Sequence, residues 1–209
     1  ACFAESMQNV LFHDMFGADG DRGACRIVPN GTKIGKQVGA NGIVSGRNAL
    51  TKSFLDDTEC EWLWWVDSDM GFAPDTVDRL VGYADPNMIP VVGGLCFSIK
   101  QDGRGPFYGN RYRICPTVYT RVETDDDAGF LPMLDYPRDQ LVKVDATGAS
   151  CVLIHRTVVE KMRAEFGDNW FSTLTHPSGT TFGEDLSFCM RLIAMGVPIH
   201  VDTAVKTTH

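Results

Sequence analysis

In Glu61-Trp62-Leu63-Trp64-Trp65-Val66-Asp67-Ser68-Asp69-Met70-Gly71-Phe72 an unbroken apolar run, Trp62 to Val66, ends in two carboxylates one residue apart. The run shows no polar alternation, so it predicts a strand covered on both faces, as in a parallel sheet. Ligands of open α/β sheets bind beyond the carboxyl ends of such strands, where Asp67 and Asp69 lie. Residues two apart on a strand point the same way, so both carboxylates can face one cation. Two close carboxylates repel unless positive charge stands between them, and a hard divalent ion with oxygen ligands suits that position. The alternative is a pair of turn aspartates that cap the next helix.

Working outward, Ala73-Pro74-Asp75 opens a helix carrying Val77, Leu80 and Val81, with proline in the first turn where its missing N–H costs nothing. Residues 89–92 predict a strand that ends at Gly93-Gly94, and residues 95–99 continue extended. Upstream, Ile43–Asp57 predicts a helix burying Ile43, Val44, Leu50, Phe54 and Leu55. Residues 25–28 are a short strand candidate, and residues 1–16 have near-helical spacing at Phe3, Met7, Val10, Leu11 and Met15. Strand and helix thus alternate through the first half, the pattern of an α/β fold with a mostly parallel central sheet flanked by helices. The glycine-rich stretch from Pro29 to Gly42 looks like a P-loop only superficially. The spacing before Gly35-Lys36 is one residue short and Gln37 stands where Ser or Thr is required, which leaves a surface loop or a phosphate contact. Arg47 sits early in its helix, against the helix dipole, and is either solvated or the partner of a phosphate or carboxylate.

The texture changes over residues 100–138, where Gly, Pro, Tyr and Arg dominate and Asp125-Asp126-Asp127 reads as a solvated turn. An irregular excursion with short strands such as Val118–Glu123 is expected, and loops of this length carry function or move. Regular elements return at Leu141–Val144, at a strand from Cys151 to Ile154, and at the helix Arg156–Phe166. Trp170-Phe171 is expected to be exposed or part of a lid. Gly183-Glu184-Asp185 opens a helix with two acids, where negative charge suits the dipole and the second acid is free for another task. That helix stops at Gly196, and residues 199–202 predict a strand.

The 209 residues carry a net charge of −8 and no Lys/Arg-rich run, which argues against a nucleic-acid binder with a basic face. Length and the lack of a linker-like stretch predict one domain over residues 1–209. The seven cysteines are scattered, with no CxxC pair, which excludes a patterned zinc site or disulfide framework and predicts a reducing, cytoplasmic setting. No apolar run reaches membrane-spanning length, and no signal peptide is visible.

Asp67-Ser68-Asp69, Gly183-Glu184-Asp185 and His209, in this order, resemble the GT-A glycosyltransferases, family 2-like, over residues 45–209. The resemblance implies a nucleotide-binding half over about residues 1–99 and an acceptor-binding half, partly antiparallel, over about residues 100–209. It implies a hexosyl transfer from a nucleotide-sugar donor, UDP-linked by family default, to a hydroxyl of a protein, glycan or small molecule. The cofactor implied is Mn²⁺ or Mg²⁺. Asp69 resembles the direct metal ligand, Asp67 the residue that contacts the ribose or reaches the metal through water, and His209 the histidine that closes the metal site. The Ser45-Arg47-Asn48 stretch and Ser68 resemble segments beside the donor, and Thr147-Gly148-Ala149 the stretch before the strand under the acceptor pocket. Asp185 resembles the base of inverting members, with Glu184 holding the acceptor or exchanging roles with it. Retaining polypeptide N-acetylgalactosaminyltransferases look similar but carry Asn after the Glu. Two departures are expected to weaken activity: the family's first donor-binding strand is not visible ahead of Ala1, and no donor-covering loop follows His209. A haloacid-dehalogenase-like phosphatase fits poorly, because Met70-Gly71 follows the second Asp and no Gly-Asp-x-x-x-Asp lies downstream. A nucleotidyltransferase lacks its glycine- and arginine-rich start. A non-catalytic sugar- or protein-binding relative would be expected to lose the metal ligands or base, which this sequence keeps.

Overall fold

A computed structural model describes residues 2–20, 22–27, 35, 42–102, 111–124 and 128–208. The central sheet has five strands in the order β1-β9-β2-β10-β7: β1 is Trp62–Val66, β2 Val91–Leu95, β7 Leu141–Val144, β9 Cys151–His155 and β10 Ile199–Lys206. β9 pairs antiparallel with both β1 and β2, β2 pairs parallel with β10, and β10 pairs antiparallel with β7. β1, β2 and β10 therefore run one way and β9 and β7 the other. The α/β class holds, but the sheet is mixed: apolar runs report two-sided burial, not strand direction.

That two-sided burial is real. On one face Trp65, Val91, Val152, Ile154, Ile199 and Val201 pack with Phe54, Val158, Met162 and Leu192. These come from α2 (Ile43–Asp57), α4 (Arg156–Phe166) and α5 (Glu184–Ala194). On the other, Trp64, Val66, Val92 and Leu153 pack with Val10, Val77 and Leu80 from α1 (Phe3–Phe16) and α3 (Thr76–Tyr83). A register shift after Asp202 turns Val205 to this second face, as a bulge does. Gly94 lets the strands close up: a Cβ there would stand 2.8 Å from Val205 Cγ1.

The excursion is less irregular than expected. β3 (Phe97–Asp102) and β4 (Arg111–Pro116) form an antiparallel pair, and β5 (Val118–Glu123) pairs antiparallel with β6 (Ala128–Pro132) and β8 (Ala146–Thr147). Gly93-Gly94 lie inside β2 rather than after it, while Ile89 is bridged to Asp85. Cys25 to Ile27 form no strand: Cys25 has a φ of 53°, outside the extended region. The buried Asp14 carboxylate takes the Arg26 and Ile27 N–H groups at 2.8 and 2.9 Å, so these amides need no ladder. In α2, Ile43 is 54% exposed and the buried positions are Gly46, Arg47, Thr51 and Phe54. The glycine-rich stretch up to Asn41, apart from Gly35, and Asp125-Asp126-Asp127 lie outside the described residues.

Candidate functional site

The carboxyl ends of β1, β2 and β10 share one sheet edge, and the start of β9 lies there too, since Val66 is the partner of Cys151. β1 stops at Val66, and Asp67 to Met70 form a turn closed by Met70 N–H donating to Asp67 O at 3.2 Å. The two-residue alternation of a strand therefore does not extend to Asp69. Met70 and Phe72 are buried and anchor the turn, while Ser68 and Asp69 are exposed and Asp67 is half-buried. Asp67 N–H donates to Ser150 O at 3.1 Å, tying the turn to the loop before β9. Gly71 and Thr208 exchange two backbone hydrogen bonds, at 2.7 and 2.9 Å, so the chain just ahead of His209 lies against the same turn. His209 itself is outside the described residues.

Glu184 and Asp185 occupy the first turn of α5, after Gly183 at its N-cap. The helix is fixed from within. Ser187 donates to Phe182 O at 3.1 Å and accepts Leu174 N–H at 2.9 Å, and Arg191 donates to Trp170 O at 3.3 Å and Ser187 O at 3.1 Å. Asp185 accepts the Ala149 N–H. The Thr147-Gly148-Ala149 stretch thus touches Asp185, and the two line a cavity of about 10 Å³ with Phe188 and Leu192. That is room for about one water, not for a sugar.

Arg47 joins the two acidic segments. It is 3% exposed. Its Nη2 donates to both Asp67 oxygens at 3.1 Å, its Nη1 donates to Asp185 Oδ1, and Glu184 Oε1 lies 3.8 Å away. Its guanidinium carbon lies over the rings of Trp65 at 5.7 Å and Phe171 at 5.4 Å. Trp65 Nε1 also reaches Asp67 Oδ1, at 3.4 Å, because residues 65 and 67 share a face. Of the two readings of Arg47, the solvated one fails and carboxylate partners are found. Burial works against the Arg47 charge, but Asp185, Asp67 and Glu184 outweigh it and hold its pKa above the ordinary value. Burial pushes the Asp185 carboxyl above its ordinary value, and Glu184 adds to this, against the pull of Arg47.

Trp170 and Phe171 are neither exposed nor a lid: they are 0% and 1% exposed. Phe171 stacks on Phe188 with centroids 4.7 Å apart and planes 9° apart, and its N–H donates to Asn48 Oδ1 at 2.8 Å. Trp65 and Phe171 are site components that sequence reasoning missed. For Arg47 the i, i+4, i+7 stripe of Arg47, Thr51 and Phe54 marks an inward-facing side chain; no such periodic signal marks Phe171.

Among the described residues, no three His, Cys, Asp or Glu side chains gather closely enough to hold a metal. Asp67, Glu184 and Asp185 converge on Arg47 instead. The donor types are those a hard cation takes, with Asp67 just past the end of β1 and Glu184 and Asp185 in the first turn of α5, all three sharing one guanidinium.

No protein-family model and no curated sequence matches the chain. Among solved structures, A197 from STIV superposes with a TM-score of 0.49 at 16% identity, covering 81% of this chain and 68% of that one. GalNAc-T7, solved with UDP, GalNAc and Mn²⁺, superposes with a TM-score of 0.53 at 13% identity. That match covers 85% of this chain and 32% of GalNAc-T7, so the likeness is to a part of that protein and is one of fold. No helix of the described residues is long and apolar enough to cross a membrane. The chain has a GT-A-like α/β fold, with Asp67, Glu184 and Asp185 gathered on Arg47 beyond the carboxyl end of β1.

Proposed function

We propose that the chain is a metal-dependent glycosyltransferase that moves a sugar from a nucleotide-diphosphate donor, UDP-linked in the first instance, to an acceptor hydroxyl. The observation that carries this reading is the union of the Asp67-Ser68-Asp69 turn with Glu184-Asp185 through Arg47, at the ligand-binding edge of a GT-A-like sheet. UDP and Mn²⁺ are chosen because GalNAc-T7 was solved with them. In this reading residues 1–209 act as one domain, with residues 1–99 meeting the nucleotide and residues 100–209 the acceptor. The seven free cysteines suit a reducing, cytoplasmic compartment.

Asp69 and His209 would hold the cation, and Asp67 would contact the ribose or reach the cation through water. Ser68 and Arg47 lie beside the donor. When bound, Mn²⁺ or Mg²⁺ supplies Lewis acidity that neutralises the departing diphosphate. Asp185 takes the proton of the acceptor hydroxyl, a task suited by a carboxyl whose pKa is raised by burial. Glu184 holds the acceptor. One displacement at the anomeric carbon inverts its configuration. Retention is the second reading, because the Gly183-Glu184 motif resembles that of retaining polypeptide N-acetylgalactosaminyltransferases and GalNAc-T7 is among the fold neighbours. The carboxylate at Asp185 favours inversion, and NMR of the product anomer decides between them.

The test is titration calorimetry with UDP in the presence and absence of Mn²⁺, followed by donor hydrolysis across a panel of nucleotide sugars. Mn²⁺-dependent UDP binding is expected, with hydrolysis lost in Asp69→Asn and transfer lost in Asp185→Asn. UDP binding that is absent, or indifferent to Mn²⁺, would sink the transferase reading.

A further inference from the structure

We propose that the β3-β4 hairpin is a membrane-docking arm whose apolar face seats in the surface of a bilayer carrying anionic lipid. The inference is independent of the transferase reading and concerns a different part of the chain.

The pairing of β3 with β4 sorts their side chains. Ile99 stands opposite Ile114, Phe97 opposite Pro116, and Tyr112 lies two residues before Ile114. Residues two apart on a strand, and residues directly opposed across an antiparallel pair, share a face. Phe97, Ile99, Tyr112 and Ile114 therefore form one apolar surface. They are 36%, 70%, 66% and 70% exposed. The opposite face meets the body at the base of the hairpin, where Ser98 is opposed to Cys115 and Cys115 is buried. Thr117 closes that base, its N–H and Oγ1 donating to Cys96 O at 2.9 and 3.2 Å. Farther out, Arg113 shares the Cys115 face and is exposed, so both faces are open to solvent there. The hairpin thus projects from the body. A two-stranded ribbon that shows an apolar face to water is marginal alone, and apolar groups gathered in this way mark a contact surface.

Charge selects the occupant. Residues 97–116 hold four Lys or Arg and one Asp, a net +3 in a chain of net −8. At about 0.1 M salt the screening length is ~10 Å, so a surface that touches the hairpin feels this local charge rather than that of the acidic body. An anionic bilayer offers every complement: an acyl region for Phe97, Ile99 and Ile114, an interface of the kind where tyrosine collects, and negative headgroups for the basic residues. A second copy of the chain fits less well. A symmetric pair would set the two basic hairpins against each other. Four side chains also fall short of the ~20–30 residues a side of a stable protein interface. β3 begins two residues after Leu95, the last residue of β2, so docking would hold near the membrane the sheet edge beside which Asp67 lies.

The experiment is co-sedimentation of the whole chain with vesicles of phosphatidylcholine alone or mixed with phosphatidylserine. Binding is expected to be about ten-fold tighter or more with phosphatidylserine and to weaken as salt is raised. Ile99→Ser/Ile114→Ser is expected to lose about ten-fold or more in affinity, with its melting temperature unchanged because both side chains are exposed. Arg113→Ser is expected to lose about five-fold on the phosphatidylserine vesicles. Phe12→Ser removes an exposed aromatic of α1, 61% exposed, and is expected to bind as wild type. Indifference to phosphatidylserine, wild-type binding by the double isoleucine variant, or an equal loss in Phe12→Ser would overturn the proposal. So would self-association in sedimentation velocity that the double isoleucine variant abolishes, which would give the face to a second copy.

Discussion

Replacing Phe171 by alanine separates a core residue from a lid residue. A Phe→Ala change in a packed core costs about 3–5 kcal/mol, the sum of lost transfer energy and the cavity left behind. Phe171 is 1% exposed, lies parallel to Phe188 at 4.7 Å and approaches Trp65 at 5.5 Å. Aromatic pairs of this kind add about 0.5–1.5 kcal/mol beyond area burial, which places the expected loss in the upper half, at about 4 kcal/mol. A domain stable by ~5–15 kcal/mol survives this with little to spare. At ~2–4 °C per kcal/mol for a chain of this size, the melting temperature falls by ~8–16 °C. Urea denaturation followed by tryptophan fluorescence measures the loss, since Trp65 and Trp170 lie beside the substitution. Phe171→Leu, which keeps most of the volume, is expected to cost about 1–2 kcal/mol. A loss below about 1 kcal/mol for Phe171→Ala, the cost of a surface change, would refute the placement of this ring in the core and with it the aromatic wall against Arg47.

Gly94→Ala is expected to destabilise by about 1–3 kcal/mol, because the new Cβ would stand 2.8 Å from Val205 Cγ1 and 3.4 Å from Cys151 Sγ in a buried strand contact. Gly82→Ala in α3, where nothing lies within 4 Å, is the control and is expected to be neutral or stabilising by about 0.5–1 kcal/mol; equal melting temperatures for the two would contradict the close approach of β2 and β10. The raised Asp185 pKa also has a sign in catalysis. With Asp185 as the proposed base, the carboxyl below that value is protonated and cannot accept the acceptor proton, so transfer is expected to turn on as pH rises, with its acid limb above the ordinary aspartate value. An acid limb at or below the ordinary aspartate value would remove Asp185 from the role of base.

Periodicity and breakers made much of the scaffold legible. α2, α4, β1, β5 and β7 fall where apolar spacing and flanking Gly, Pro or charge place them. Strand direction was not legible, because a run such as Cys151–His155 is equally apolar whether its neighbours run with or against it. The acidic motifs could be seen, but not what gathers them. A lone arginine in a helix shows its charge, whereas its partners Asp67 and Asp185 are set by tertiary packing. Trp170-Phe171 failed for the same reason. An aromatic pair outside a periodic segment carries no mark of its partners, here Phe188, Asn48 and the Val159 carbonyl that Trp170 Nε1 meets at 2.9 Å.

The position of β10 has a bearing on synthesis. This strand, late in the sequence, inserts between β2 and β7, and the residues after it brace the edge of the sheet: Thr207 N–H donates to Leu95 O at 3.0 Å and Thr208 pairs with Gly71. Until β10 has left the ribosome, β2 has an open edge and the turn carrying Asp67 and Asp69 lacks its brace. A nascent chain that already contains most of the acidic residues is therefore incomplete as the proposed binding surface. It presents an unpaired apolar strand of the kind chaperones shield, and ligand affinity should switch on abruptly with chain length rather than grow with each element added.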